Sequence, residues 1–363
     1  MLVCEDISKA NGTAGSEHPL GGLMMSRIGI LGGTRFVGYH LATCLLNAGH
    51  HVTLFNRGKT SPPGPFPLFV EYVHGDRNNP SDIANFFRST YDVVVDLSGY
   101  SPDHVQPLLL EQHRSKVHHY IFCSTSSVYT IPPPCPFSER APRTTIDKTY
   151  GGDKARIEDL LLETWHKSGW PVTILRPQGV FGRFDARQAA FVFSRLLNSA
   201  PIFLGQRRDY RINFLYINDL VRAFVQVMRR PLSYGKVYNV AGDDVVTQVQ
   251  FVHLCAQASS LEAKIRMLED PIYHHLPVGI PWLGYDLIAA NASIKQELGL
   301  RFTPLEKALK ETWAWVQNEP QHLTPQLFRG EQYLRENRRI PFWVKASWRL
   351  EDLVRSSLLR HIN

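Results

Sequence analysis

The chain has no run of eighteen or more uninterrupted apolar residues, so nothing in it reads as a membrane-spanning helix. It is also poor in cysteine. Cys4, Cys44, Cys123, Cys135 and Cys255 are scattered over 363 residues, odd in number and without a CxxC pair. That pattern argues against a disulfide framework or a zinc site and suits a reducing, cytoplasmic compartment; no metal is expected. The first 26 residues lack the compact apolar core of a secretory signal. They read as a disordered leader (1–26), with Met24 and Met25 as an alternative translation start.

An apolar content of 44% is ordinary for a globular protein. The net charge of +7 agrees with an anionic partner, and a phosphate-rich cofactor alone would reward it. Much of the excess is local: Phe328 to Asn363 carries eight Arg or Lys against four Asp or Glu.

From Arg27 onward, short β-type runs alternate with helix-length amphipathic stretches. Strands are predicted at Ile28–Leu31, His51–Phe55, Phe69–His74, Val93–Leu97, Val117–Cys123 and Val172–Leu175. Helices are predicted at Phe36–Ala48, Ser81–Arg88, Asp103–His113 and Tyr150–Lys167. Alternation with strands this apolar predicts an α/β fold, a doubly wound parallel sheet of Rossmann type covered on both faces. We read 27–175 as the dinucleotide-binding core. A smaller substrate lobe, 176–318, interleaves with its last elements. Within the lobe, helices are expected at Arg187–Asn198, Asp219–Met228, Gln248–Ser259 and Leu305–Val316, a strand at Val237–Val240, and a loop over Asp270–Gly284. Residues 319–363 form a basic, aromatic extension with a candidate helix at Arg349–Arg360.

The strongest local feature is Arg27-Ile-Gly-Ile-Leu-Gly-Gly-Thr-Arg-Phe-Val-Gly38, a strand running through glycines into a helix. Missing β-carbons let the backbone approach a diphosphate, and a helix start supplies free N–H groups. Gly32, Thr34, Arg35, Phe36, Val37 and Gly38 are therefore candidate cofactor ligands. The end of the second strand reads Asn56-Arg57-Gly58-Lys59, with no carboxylate to meet a ribose hydroxyl. Arg57, Lys59 and Arg35, which replaces the middle glycine, favour a 2′-phosphate and hence NADP, with NAD as the alternative. Asp76, followed by Arg77, either meets the adenine or caps the next helix.

Tyr150-Gly-Gly-Asp-Lys154 places a phenol and an ammonium one helical turn apart. It opens the helix after a strand that ends Cys123-Ser-Thr-Ser-Ser-Val-Tyr129. A phenol with a pKa near 10 is a poor base at neutral pH unless positive charge stabilises its anion. Thr125 is the candidate hydroxyl beside it, with Ser124, Ser126 and Ser127 as substitutes.

Together with Leu175-Arg-Pro-Gln-Gly-Val-Phe-Gly182, Phe214-Leu-Tyr-Ile-Asn-Asp-Leu-Val-Arg-Ala-Phe224, Tyr238-Asn-Val-Ala-Gly242 and Leu298-Gly-Leu-Arg-Phe-Thr-Pro304, these segments make the chain resemble the extended or atypical short-chain dehydrogenase/reductase superfamily, the NAD-dependent epimerase/dehydratase group. The likeness covers roughly Arg27 to Asn318. It implies Thr125, Tyr150 and Lys154 as the catalytic set, with Lys154 also reaching the cofactor ribose. It implies Pro177, Gly179 and Val180 lining the nicotinamide, and Leu97, Ser98, Gly99 and Ser124 beside the cofactor. A dimer through the Asp103–His113 and Tyr150–Lys167 helices is a further implication.

The chain also departs from the group's pattern. Arg35 stands at the middle glycine, as in members resembling the chloroplast stem-loop-binding proteins. Gly179 stands where sugar-nucleotide epimerases often carry Asn, and Ile212 where they carry a diphosphate-binding Arg, with Arg211 adjacent. Asp219 is read as a helix N-cap.

The expected reaction is reversible hydride transfer at a hydroxyl or keto carbon of a small polar substrate: a sugar, nucleotide or polyol. Tyr100, Ser126, Gln178, Arg183, Arg187, Arg208 and Arg211 are its candidate ligands. The alternative is a binding or regulatory protein on the same fold, with RNA or protein as partner, for which Trp343 and Trp348 in the basic tail would suit stacking. Nucleic acid is the less favoured partner, because a binding role does not require the Thr-Tyr-Lys set.

Overall fold

The apolar runs become the strands of one parallel sheet in a computed structural model that describes residues 25–185, 187–205, 210–268 and 285–323. The leader up to residue 24, the loop expected over Asp270–Gly284, Arg208 and the helix expected over Arg349–Arg360 lie outside the described residues. The main sheet comprises β1 (Arg27–Leu31), β2 (His51–Asn56), β3 (Glu71–His74), β4 (Val93–Asp96), β5 (Tyr120–Cys123), β6 (Val172–Pro177) and β7 (Lys236–Val240), in the order β7-β6-β5-β4-β1-β2-β3. All its pairings are parallel. The winding reverses between β1 and β4. In such sheets a crevice opens there, outside the carboxyl ends of the strands.

Every residue of β4 is buried, because both faces are covered. One face packs Ile28, Ile30, Val93 and Val95 under α1 (Phe36–Asn47), through Leu41 and Leu45. The other packs Val94, Tyr120 and Phe122 under the long helix Tyr150–Ser168, through Ile157 and Leu161. A separate apolar cluster lies beyond the sheet, where Phe181, Phe193, Phe214, Phe251 and Trp313 gather. Among the described residues no helix is long and apolar enough to cross a membrane.

Element boundaries agree with the sequence reading within a few residues, with one substantial exception. The helix expected over Asp103–His113 is instead two 3-10 turns, Pro102–His104 and Gln106–Leu109, followed by the single α-turn Glu111–Arg114. Pro107 explains the break. It has no N–H to donate, and its ring clashes with the carbonyl four residues earlier in an α-helix. One of the two helices on which the implied dimer rests is therefore not continuous.

The structure decides two helix caps, excluding the capping alternative for Asp76 and correcting the N-cap expected at Asp219. Asn79, not Asp76, caps α2 (Pro80–Phe86), accepting from the Ser81 N–H. Asp219 lies inside the helix Ile217–Val227 and caps nothing. Its carboxylate accepts from the backbone N–H and hydroxyl of Thr303, so it ties a distant loop to the helix.

The carboxyl end of β4 is fixed from within. Asp96 is fully buried and receives both terminal nitrogens of Arg77, at 2.9 and 2.8 Å, and the Tyr120 hydroxyl at 2.7 Å. Burial alone would raise the Asp96 pKa. Arg77's charge and hydrogen bonds outweigh it and bring the carboxyl down to about 2. An unfolded Asp titrates near 3.9, so the stability this pair contributes is complete above about pH 4. It is lost as the pH falls through about 2. Asp96→Asn strands a buried guanidinium and is expected to cost about 3–5 kcal/mol, measured by urea unfolding at neutral pH. A cost under about 1 kcal/mol would mean that the pair does not hold this crevice wall.

Candidate active site

The turn after β1 is built for close backbone approach. Gly32 and Gly33 have φ of +110° and +99°, a region that disfavours side chains. A β-carbon on Gly38 would stand 2.4 Å from the Gly33 α-carbon, so α1 can press against the turn only because Gly38 has none. Arg35 is the N-cap residue of α1 but makes no side-chain cap, and the first turn holds no acidic residue. The first amides of a helix lack intrahelical partners, and among the described residues no side chain caps them here. Thr34 is buried, while Phe36 and Val37 turn their side chains into the apolar clusters.

At the end of β2, the Asn56 side-chain oxygen accepts from the Gly58 N–H at 2.8 Å, and its buried Nδ2 has no partner. Arg57 and Lys59 are exposed. Asp76 lies within their electrostatic reach: hydrogen bonding from the Asn78 N–H lowers its pKa most, and the two cations lower it further. Arg35 is exposed and its charge is felt at Tyr100, on the cleft side of the turn. The Arg77 guanidinium is already engaged: besides Asp96 it binds the Ser98 hydroxyl and the His104 carbonyl, both at 2.8 Å. Leu97 and Ser98 border the glycine turn, their β-carbons 3.6 and 3.7 Å from where a Gly32 β-carbon would lie. Gly99 follows them, buried at the same strand end.

Tyr150 opens α3 (Tyr150–Ser168), whose N-cap Thr149 accepts from the Gly152 N–H at 3.1 Å. A β-carbon on Gly151 would fall 2.0 Å from the Ser127 carbonyl oxygen. Glycine there lets the helix start lie directly on the end of β5. The Thr125 hydroxyl accepts from the Ser127 N–H at 3.1 Å and lies near enough to the Tyr150 phenol to lower its pKa. Lys154 is 2% exposed. Its Nζ donates to the Cys123 carbonyl at 2.7 Å and stands 6.0 Å from the Tyr150 ring centroid. Burial lowers the Lys154 pKa, and burial pushes Tyr150 up to about 12, against the opposing effects of Thr125 and Arg187. The Tyr100 ring lies 6.5 Å from that of Tyr150.

The serines beside Thr125 have other tasks. Ser124 points its hydroxyl inward to Glu158 at 2.5 Å, so its side chain is not presented to a cofactor. Ser126 begins the 3-10 turn Ser126–Val128.

The proposed substrate residues divide. Arg187 is exposed and close enough to affect Tyr150, and no ion pair engages it among the described residues. Gln178 is 2% exposed; its Nε2 donates to the Leu287 carbonyl at 3.3 Å and its Oε1 has no partner. Pro177 ends β6, Gly179 has a φ of +49°, and Val180 is half-buried. Two arginines are already engaged. Arg183 pairs with Glu319 at 2.5 Å, and Arg211 grips Asp286 through Nε at 3.1 Å and a terminal nitrogen at 2.6 Å. The Arg211 pair lines a cavity of about 650 Å³ with Pro132, Pro133, Cys135, Tyr210 and Tyr285.

Sequence reasoning missed a buried ionic cluster behind the site. Glu158, fully buried, binds Arg176 through Nε at 2.9 Å and a terminal nitrogen at 2.5 Å, and Arg143 at 3.1 Å. The available signal was a lone arginine ending the otherwise apolar run Val172-Thr-Ile-Leu-Arg176. A buried strand carries such a charge only when it is paired.

Comparison with known proteins places this architecture. The model of the NAD-dependent epimerase/dehydratase family matches residues 28–241. A chloroplast stem-loop binding protein of 41 kDa from Arabidopsis thaliana is 29% identical over 281 residues, 72% of this chain and 70% of its own length. A putative UDP-arabinose 4-epimerase from the same plant is 23% identical over 372 residues, covering 88% and 82%. Among solved structures, a UDP-glucose 4-epimerase from Thermotoga maritima with UDP-glucose superposes with a TM-score of 0.68 at 19% identity, over 81% of this chain and 99% of that one. A Bacillus anthracis dTDP-glucose 4,6-dehydratase in complex with NAD gives 0.69 at 18% identity, over 83% and 100%. The matched segment spans the glycine turn, the Thr125–Tyr150–Lys154 group and β7, and the chain belongs to the NAD-dependent epimerase/dehydratase family.

Proposed function

We propose that the chain is an NADP-dependent oxidoreductase or epimerase acting on a hydroxyl or keto carbon of a small polar substrate of the sugar, nucleotide or polyol class. The observation that carries the reading is the meeting of Thr125, Tyr150 and Lys154 at the end of β5, one strand from the winding reversal between β4 and β1.

The residues present fit a dinucleotide. The uncapped start of α1 suits a diphosphate. The unpartnered Nδ2 of Asn56 suits a ribose or its phosphate, with Arg57 and Lys59 as the cations for a 2′-phosphate. A bound nicotinamide would exchange hydride with the substrate carbon and, when oxidised, bring positive charge into the cleft.

The chain supplies the proton chemistry. With its pKa near 12, Tyr150 is protonated at neutral pH and ready to donate to a developing alkoxide. It becomes a base only when positive charge stabilises its phenolate. Thr125 orients the same substrate oxygen. Lys154 donates to the Cys123 carbonyl and lies 6.0 Å from the phenol ring centroid, its charge opposed by burial. Gln178, with its free Oε1, and Arg187, beside Tyr150, are the candidate substrate contacts. Arg183 and Arg211 would have to break ion pairs to serve.

A second reading, a binding protein that retains the fold, draws on the likeness to the stem-loop binding protein. Salt-sensitive retention of stem-loop RNA without any turnover would favour it.

Two outcomes test the first reading. Tyr150→Phe should lower turnover by about 10²-fold or more while leaving the affinity for NADPH, read by fluorescence, within about twofold. Undiminished turnover would remove Tyr150 from the mechanism. The double variant Arg57→Ala/Lys59→Ala should weaken NADP+ binding at least tenfold, about 1.4 kcal/mol, and leave NAD+ nearly unchanged. Equal losses for both nucleotides, measured by calorimetry, would reject the 2′-phosphate assignment.

A further inference from the structure

We propose that Tyr100 is a positioning residue for Lys154: its ring is one wall of a three-ring box that holds the ammonium on the Cys123 carbonyl. The Lys154 Nζ lies 4.5 Å from the ring centroid of Phe122, 5.3 Å from that of Tyr100 and 6.0 Å from that of Tyr150. An ammonium within about 6 Å of a centroid is attracted to the negative face of the ring. The box answers an electrostatic need. Lys154 is 2% exposed, and burial opposes its charge by more than its neighbours offset. The other charged and titratable groups felt there are Cys123, Asp96, Arg77 and Glu158. Both carboxylates are already held by arginines, Asp96 by Arg77 and Glu158 by Arg176 and Arg143. What remains for the ammonium is one carbonyl, at 2.7 Å, and the faces of the rings.

The chain delivers Tyr100 to this place by a short-range device. A β-carbon on Gly99 would stand 2.9 Å from Asp96 Oδ2 and 2.9 Å from the Phe122 ring. A residue without a side chain lets the end of β4 fold down onto Phe122, and the next residue then reaches Lys154. The Tyr100 N–H donates to His104 Nδ1 at 3.2 Å, which fixes its backbone. The three rings differ in exposure. Phe122 is fully buried and forms the floor, while Tyr100 and Tyr150 are half-exposed walls on the cleft side. Tyr150 carries the proposed proton chemistry, so Tyr100 is the wall whose task is the ammonium itself. Among the described residues no hydrogen bond engages its hydroxyl, and what it offers Lys154 is the ring face. With that face in place the ammonium stays charged and turned to Cys123. Without it, the neutral amine gains ground.

The bearing on catalysis rests on the reading of Lys154 as the partner of Tyr150, but the test needs neither cofactor nor substrate. The full chain is labelled with ¹³C at the lysine ε-carbon, and the Lys154 resonance is assigned by its loss in Lys154→Met. Its shift, followed from about pH 6 to about pH 11, gives the midpoint at which the ammonium loses its proton. Tyr100 is then replaced by phenylalanine carrying none, one, two or three ring fluorines. Each fluorine draws charge from the ring face and leaves the shape of the ring and the burial of Lys154 nearly unchanged. Tyr100→Phe should leave the midpoint in place, because the ring face is kept. Added fluorines should lower it step by step, making Lys154 about threefold more acidic with three. Tyr100→Leu, which keeps apolar cover without a π face, should lower it as much. A midpoint indifferent to fluorine, or unmoved in Tyr100→Leu, would overturn the proposal and reduce Tyr100 to steric cover. Failure to bind any nicotinamide nucleotide would remove the proposed reaction and leave this result standing.

Discussion

The site depends on a helix whose first amides receive no side-chain cap among the described residues, set where a parallel sheet reverses its winding. Both conditions come from sequence at short range. The run Gly29-Ile-Leu-Gly-Gly ends a buried strand with residues that tolerate positive φ, and Gly38 lets the following helix lean back onto them. A helix start in this position carries a partial positive charge. No carboxylate in its first turn neutralises it. The fold thus keeps this helix start free of a side-chain cap and of acidic charge, and the other cleft residues are arranged around it.

Two buried ionic clusters keep the walls of that cleft in place. Asp96, with Arg77 and Tyr120, closes the end of β4, and Arg77 extends the closure to Ser98 and the His104 carbonyl. Glu158, with Arg176 and Arg143, does the same behind β5 and β6. Buried ion pairs contribute little net stability beyond what apolar packing would give, yet losing one partner is costly. Their directional bonds fix loop geometry, which apolar contacts would leave looser. That rationale fits their location: both clusters lie directly behind residues of the cleft and not in the centre of the apolar layers.

The strands, the glycine turn and the Tyr150–Lys154 spacing were legible because each is a local pattern with a local cause. What escaped the sequence depends on contacts across long separations. Arg183 and Arg211 look like free cations until Glu319 and Asp286, 136 and 75 residues away, are seen to hold them. Arg77 stands next to a plausible cofactor ligand, but Asp96 takes its charge. Asp219 has the look of a helix cap and instead grips Thr303. The Asp103–His113 stretch misled for a different reason: its apolar spacing fits a helix, while Pro107 within it does not, and the proline decides.

The electrostatics of the cleft also say which protonation state the chain holds by itself. Burial raises Tyr150 and lowers Lys154, so each neighbour favours its neutral form over what water would allow. The two shifts have one cause, since a dry pocket penalises charge of either sign. With only its own chain's groups around it, Tyr150 is a protonated phenol and a weak acid, able to donate to the strongly basic alkoxide formed in carbonyl reduction. Drawing a proton from a hydroxyl is harder and requires added positive charge close to the phenol. Lys154 supplies little of it directly, because its ammonium is turned to the Cys123 carbonyl. In the proposed reaction, the oxidised nicotinamide of a nucleotide whose diphosphate rests at the start of α1 would supply the rest, so that the base would form only in the complex that needs it.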